Sequence, residues 1–149
     1  MAMFTRRLFS MGNLTAEHFE SYLRITKNFE QNLKKLKIIS LEEGKCIAEM
    51  KVEQEHTNIL GTLHGGFTAS LIDVVSSYGL NSLERGNVPH VSVNLNVRYI
   101  KGAELGKTVV IESEMVKCGR NLAFLEVTIK DKISGEILAK GDHTKYLMK

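Results

Sequence analysis

The stretch from about Gly65 to Leu83 constrains this chain more than any other. Phe67, Leu71, Val74, Val75 and Tyr78 recur at helical spacing, and Ala69 and Ile72 widen the apolar surface beyond one stripe. A helix that is apolar on most sides cannot lie on a surface and must be wrapped by other structure. Asp73 falls in its middle, between Ile72 and Val74. A carboxylate buried without a partner is costly, so this acid is expected to be paired or functional.

Strands are available to do the wrapping. Cys46, Ala48, Met50 and Val52 alternate with Ile47, Glu49, Lys51 and Glu53, the pattern of a strand with one wet face. A shorter strand, 36–41, precedes it across the turn Glu42-Glu43-Gly44-Lys45. Val91, Val93, Leu95, Val97 and Tyr99 alternate with Ser92, Asn94, Asn96 and Arg98, which puts Ser92 and Asn94 on the polar face. Further strands are predicted over 108–117, 122–130 and 136–147, separated by turns at 102–107, 118–121 and Ser134-Gly135. Short connections predict that the four late strands are antiparallel neighbours. Near the start, Thr15 caps a helix running to about Asn28, with Phe19, Tyr22, Leu23 and Ile25 on its apolar side. The order predicts an α+β hotdog fold, a curved antiparallel sheet wrapped around one long central helix. Its outer strands leave open edges, which dimerisation by edge pairing satisfies.

Bulk properties fit one domain, 13–149, behind a variable tail, 1–12, in a chain of 149 residues with a single proline, Pro89. At 43% apolar and 25% charged residues the chain can bury a core, and it holds no continuous apolar run of membrane-spanning length. The net charge of +3 is scattered among acids, unlike the clustered excess of a nucleic-acid binder. It suits a small molecule carrying several phosphates equally well. Cys46 and Cys118 match no metal or redox spacing and read as buried or half-buried free thiols, in keeping with a reducing compartment. Residues 1–11 carry Arg6 and Arg7 and no acid precedes Glu17, features shared with mitochondrial transit peptides. The expected location is cytoplasm, mitochondrion or both.

The densest run of chemistry-bearing residues is His56-Thr57-Asn58 through Leu63-His64-Gly65-Gly66, which opens the long helix. First-turn amides lack intrahelical acceptors, and the helix dipole adds positive potential there. Glycine lets a ligand approach the backbone closely, so a carbonyl held at this end would be polarised and a developing oxyanion stabilised. Gly65 and Asp73 are eight residues apart, roughly 12 Å along a helix. One substrate carbonyl cannot touch the Gly65 amide while its attacking water touches Asp73 of the same helix. If both act on one substrate, they come from two chains. Ser92 is placed to hold that water beside Asp73. There is no G-x-S-x-G serine motif, no H-x-x-x-H pair, and no Walker or dinucleotide fingerprint.

These residues, with Leu71-Ile72-Asp73, Glu49-Met50-Lys51-Val52, Glu84-Arg85-Gly86, Val91-Ser92-Val93, Leu122-Ala123-Phe124 and His143-Thr144-Lys145, resemble the hotdog thioesterases of the phenylacetyl-CoA and 4-hydroxybenzoyl-CoA type. The likeness runs from about Asn28 to Lys145. It implies hydrolysis of medium- to long-chain acyl-CoA without metal or cofactor, by a homotetramer built as a dimer of dimers. It implies that Gly65 polarises the carbonyl and that Asp73 of the neighbouring subunit is base or nucleophile. Ser92 would orient the water, and Asn58 and His64 would position substrate and assist the departing thiolate. CoA is expected against Ser92, against Tyr99, Ile100, Lys101, Gly102, Ala103 and Glu104, and against Lys117, Cys118, Gly119, Arg120, Asn121 and Leu122, where Lys117 and Arg120 suit phosphates. This chain departs from the family in lacking a proline in the Ile100-Lys101-Gly102 turn and in having Asn94 where an acid is common. Two other readings stay open: a hotdog dimer that binds acyl-CoA without cleaving it, and a hydroxyacyl-CoA dehydratase using a histidine at the helix start.

Overall fold

A computed structural model describes residues 14–148 of the chain. The tail expected over 1–12, with its leader-like segment, lies outside the described residues. Among the described residues are two α-helices and six strands: α1 (Ala16–Ile25), β1 (Lys37–Glu42), β2 (Lys45–Lys51), α2 (Gly65–Asn81), β3 (His90–Tyr99), β4 (Thr108–Cys118), β5 (Leu122–Asp131) and β6 (Ile137–Leu147). The strands form one antiparallel sheet in the order β1-β2-β4-β5-β6-β3.

The long helix is wrapped as its composition requires. Leu71, Ile72, Val74, Val75, Ser76, Tyr78 and Leu80 are buried, and α2 lies against β2, β4, β5 and β6. The sheet supplies the other half of the core with alternate residues: Cys46, Ala48 and Met50 from β2, Val109 and Ile111 from β4, Leu125, Val127 and Ile129 from β5. Each aliphatic side chain fully buried in this way contributes about 1.5–3 kcal/mol. Contact is close at Gly141 of β6, where a Cβ would come within 2.7 Å of Ile72 Cγ2. The helix can reach this depth in the sheet because position 141 has no side chain. Helix α1 closes one end, with the Phe19 ring stacked on Tyr78 at 4.0 Å between centroids. Cys46 and Cys118 are free thiols, the first buried and pushed up to about 12 by desolvation.

Three expectations need correction. The first helix stops at Ile25, short of Asn28, because Thr26 turns extended (ψ 145°). Asn28 instead caps a 3-10 turn over Phe29–Leu33, its side chain accepting from the Glu30 amide at 3.0 Å. Second, β3 and β4 are not neighbours: β3 pairs with β6, and β4 pairs with β2 and β5. The connection between them does not double back. It crosses beneath the start of α2, held by Leu63 N to Ala103 O (2.7 Å), Leu105 N to Gly61 O (3.1 Å) and Gly106 N to Val52 O (2.8 Å). β4 is thereby delivered to the far side of the helix.

The third correction matters most for function. Strict alternation puts Ser92 and Asn94 on one polar face, but the β3–β6 register slips between them. Ser92 stands opposite Lys145 and Leu95 opposite His143, so Val93 is the extra residue of a β-bulge. The bulge turns Ser92 to the helix side of the sheet and leaves Asn94 opposite Thr144 on the outer side. Among the described residues no helix is long and apolar enough to cross a membrane.

Candidate active site

The start and the middle of α2 carry two different sets of groups. At the N-terminus His64 is the cap: its Nδ1 accepts from the Gly66 amide at 2.9 Å. In a neutral His64 the proton is therefore on Nε2, pointing away as a donor. Gly65 is the first helical residue, and among the described residues no acceptor takes its N–H. That amide is the free donor the helix dipole favours for a carbonyl oxygen. It opens on a cavity of about 280 Å³ lined by Asn58, Thr62, Gly65 and the segment Tyr99–Ala103. Tyr99 closes one wall and donates its hydroxyl to Gly65 O at 3.0 Å. Asn58 shapes the loop: its Oδ1 accepts from Leu60 N at 2.9 Å and Thr62 N at 3.2 Å, and its Nδ2 donates to Thr62 Oγ1 at 2.9 Å. Lys101 is committed to Glu136 at 2.7 Å, and Glu104 bridges back to Thr62.

Two turns along, Asp73 faces a separate cavity of about 360 Å³ that Leu14, Phe19, Tyr22 and Tyr78 also line. Its side chain is 43% exposed in the single chain, whereas that of Lys145 is 6% exposed. Lys145 Nζ donates to Asp73 Oδ1 at 3.0 Å. Ser92 Oγ stands 3.5 Å and His143 Nε2 3.7 Å from the same oxygen. Burial, reinforced by the Lys145 charge, pushes His143 down to about 4, so the ring is neutral near pH 7. His90, beside Asn81 on the same cavity, is also pushed down to about 4, chiefly by burial. Glu30 lines this cavity too, and desolvation raises its carboxyl above the usual range.

The expected site residues thus divide. Asn58, Gly65 and Tyr99 to Ala103 share the first cavity, with His64 capping its helix, and Asp73 and Ser92 share the second. Lys117 to Leu122 form the β4–β5 hairpin, closed by Gly119 N to Leu122 O at 2.8 Å. In the ladder, Cys118 pairs with Ala123, Ala123 with Lys145, and Lys145 with Ser92. The hairpin therefore belongs to the Asp73 end of the sheet. The Tyr99 end lies roughly 23 Å away along β3. Lys145 and His143 are functional candidates that sequence reasoning did not single out. The available signal was their spacing: with Gly141 and Leu147 they fall on the inward-facing positions of β6, where a lysine needs a partner.

An antiparallel sheet clasping one apolar helix, with a free amide at the helix start and an ion-paired carboxylate two turns later, defines a hotdog protein. The chain belongs to the thioesterase superfamily, matching that family's profile over residues 60–138. It is 48% identical over 139 residues to human acyl-coenzyme A thioesterase 13, covering 92% of this chain and 99% of that one. Among solved structures, zebrafish thioesterase superfamily member 2 superposes with a TM-score of 0.86 at 40% identity, covering 91% of this chain and 99% of its own. A hypothetical thioesterase from Streptococcus pneumoniae, solved with coenzyme A, superposes with a TM-score of 0.72 at 25% identity, covering 76% and 85% respectively.

Proposed function

We propose that this protein hydrolyses medium- to long-chain acyl-CoA to fatty acid and CoA at sites shared between two subunits. One observation carries the reading: the Gly65 amide and the Asp73 carboxylate open on different cavities at opposite ends of the reacting part of α2. Among the described residues, the Gly65 cavity is lined by no carboxylate or histidine that could act as base, and the Asp73 cavity has no free helix-start amide. Two copies joined through β3 with antiparallel helices would bring one chain's Gly65 next to the other's Asp73. Strand β3 is a sheet edge ten residues long, and Val91 and Val93 on it are 47% and 56% exposed. A long apolar edge of this kind calls for a partner strand. The same pairing brings Lys117–Leu122 of one subunit toward Tyr99–Glu104 of the other, the two segments expected to hold CoA. The assembly proposed is a dimer of such dimers.

The chemistry follows from the groups in place. Water beside Asp73 and Ser92 attacks the thioester carbonyl carbon, and Asp73 takes its proton. The oxygen of the tetrahedral intermediate receives the Gly65 N–H of the partner subunit. Collapse breaks the C–S bond, and the CoA thiolate leaves and takes up the proton. The acyl chain occupies the cavity bounded by Leu14, Phe19 and Tyr78. His64 is engaged as a helix cap, and Asp73 pairs with Lys145 and not with a histidine at the helix start, which favours hydrolysis over dehydration.

The test is complementation between two inactive variants. Gly65→Pro deletes the donor alone: Gly65 is the first helical residue, where proline is tolerated, and His64 (ψ 134°) already has the conformation that precedes proline. Asp73→Asn deletes the base. Each variant alone is expected to be inactive. Mixed and refolded together, they form mixed dimers with one intact site, restoring about a quarter of wild-type turnover for random pairing of symmetric dimers. No restoration, with mixed dimers demonstrated, would mean that both groups act within one chain.

A further inference from the structure

The contacts behind Asp73 form a chain that the reaction as described does not use. Ser92 Oγ lies 2.8 Å from His143 Nε2 but 3.5 Å from Asp73 Oδ1. A hydroxyl has one proton to give, and hydroxyl-to-carboxylate bonds run at about 2.5–2.7 Å. The Ser92 proton therefore goes to His143, which makes Nε2 the acceptor nitrogen. A ring that accepts at Nε2 and is neutral carries its proton on Nδ1. Nδ1 is 2.7 Å from Ser76 Oγ, so Ser76 is the acceptor there. The Ser76 proton has its own destination, the Asp73 backbone oxygen at 3.0 Å. The reverse assignment, with Ser76 donating to Nδ1 and Nε2–H donating to Ser92, would leave the Ser92 proton only the 3.5 Å contact with Asp73, so the geometry favours the first direction. His143 is buried at 1% exposure, and its neutral form is secured by that burial and by the Lys145 charge nearby.

We propose that His143 is a positioning residue: through Ser76 it is held as the Nδ1–H tautomer, and by taking the Ser92 proton it turns the Ser92 oxygen into an acceptor for the attacking water. The inference rests on the proposed role of Asp73 as base. With Lys145, Ser92 and His143 all gathered around Oδ1, Oδ2 is the carboxylate oxygen that meets the water. The water then gives one hydrogen to Oδ2 and the other to Ser92 Oγ. Both its donors are used, and its lone pair is left aimed at the thioester carbon. Were the Ser92 proton turned outward, it would occupy that lone pair and oppose attack.

The experiment is a double-mutant cycle on kcat and KM, read by thiol release from acyl-CoA. His143→Asn keeps an amide at the position of Nδ1, within reach of Ser76, and loses contact with Ser92. His143→Gln places an amide oxygen where Nε2 stood. Ser92→Ala and His143→Asn are each expected to lower kcat about tenfold, the value of one hydrogen bond, with KM within about twofold. The double variant should lose no more than Ser92→Ala alone, because His143 acts through Ser92. His143→Gln should recover part of the rate. Losses that multiply in the double variant, or a Gln variant no faster than Asn, would overturn the proposal. Melting temperatures of the four proteins separate a packing defect from a positioning one. Asp73→Asn is run in parallel: wild-type turnover there would bring down the underlying reading, whereas an inactive Asp73→Asn beside multiplying losses brings down this inference alone.

Discussion

Asp73→Asn should cost stability as well as turnover, and the structure gives the size of both effects. The variant keeps the shape of the side chain and removes its charge. What it leaves behind is the Lys145 ammonium, 6% exposed and 3.0 Å from the missing charge. Exposed ion pairs contribute about 0–1 kcal/mol, and breaking a fully buried pair costs about 3–5 kcal/mol. Here one partner is buried and the other is 43% exposed, so the penalty should fall near 2 kcal/mol. For a chain of this length that lowers the melting temperature by about 6 °C. Turnover should fall by about 10²-fold or more, the contribution of a general base. Thermal unfolding and thiol release on the same preparation measure the two effects. The double variant Asp73→Asn with Lys145→Met then separates them: stability should return, because no charge is left buried, while turnover stays low. An Asp73→Asn protein that melts like wild type would mean that Lys145 does not depend on this carboxylate, and the electrostatic account of the site would fail.

Other consequences follow from the same geometry. Gly141→Ala places a methyl 2.7 Å from Ile72 Cγ2 in a closed core; it should destabilise by about 1–3 kcal/mol in urea unfolding, and a neutral result would show that α2 can lift from the sheet. His143 and His90 both titrate near 4 when folded against an ordinary value of 6.5. The unfolded chain therefore binds more protons between these values. Stability should be fully present above pH 6.5 and fall as pH drops toward 4, with a shallower fall in His90→Gln, and a urea midpoint flat across that window would contradict the burial assigned to these rings. Val93 is the bulge residue of the open edge, 56% exposed. Val93→Asp should shift the protein to monomer in sedimentation velocity and abolish turnover with it, and a fully active monomer would end the shared-site reading.

Much of the fold was legible in the chain because the relevant signals are local. The spacing of Phe67, Leu71, Val74 and Tyr78 marks α2 and requires that it be wrapped, and alternation marks the faces of β2. The rise of a helix, with no structure at all, separates Gly65 from Asp73 by roughly 12 Å and so underlies the proposal of a site shared between two chains. Three things were decided elsewhere. Sheet order depends on where the 100–107 connection is tied down, by hydrogen bonds to loop positions some forty residues or more earlier in sequence. The inward aim of Ser92 depends on the slip at Val93, and nothing in the alternating pattern around it marks the extra residue. The partners of Asp73 come from Lys145, 72 positions away, and from His143, adjacent only once β6 is laid beside β3 and under α2. Periodicity fixes which way a side chain faces along its own element. Which groups meet across elements is set by packing energies summed over the whole sheet, and that sum exists only in the folded chain.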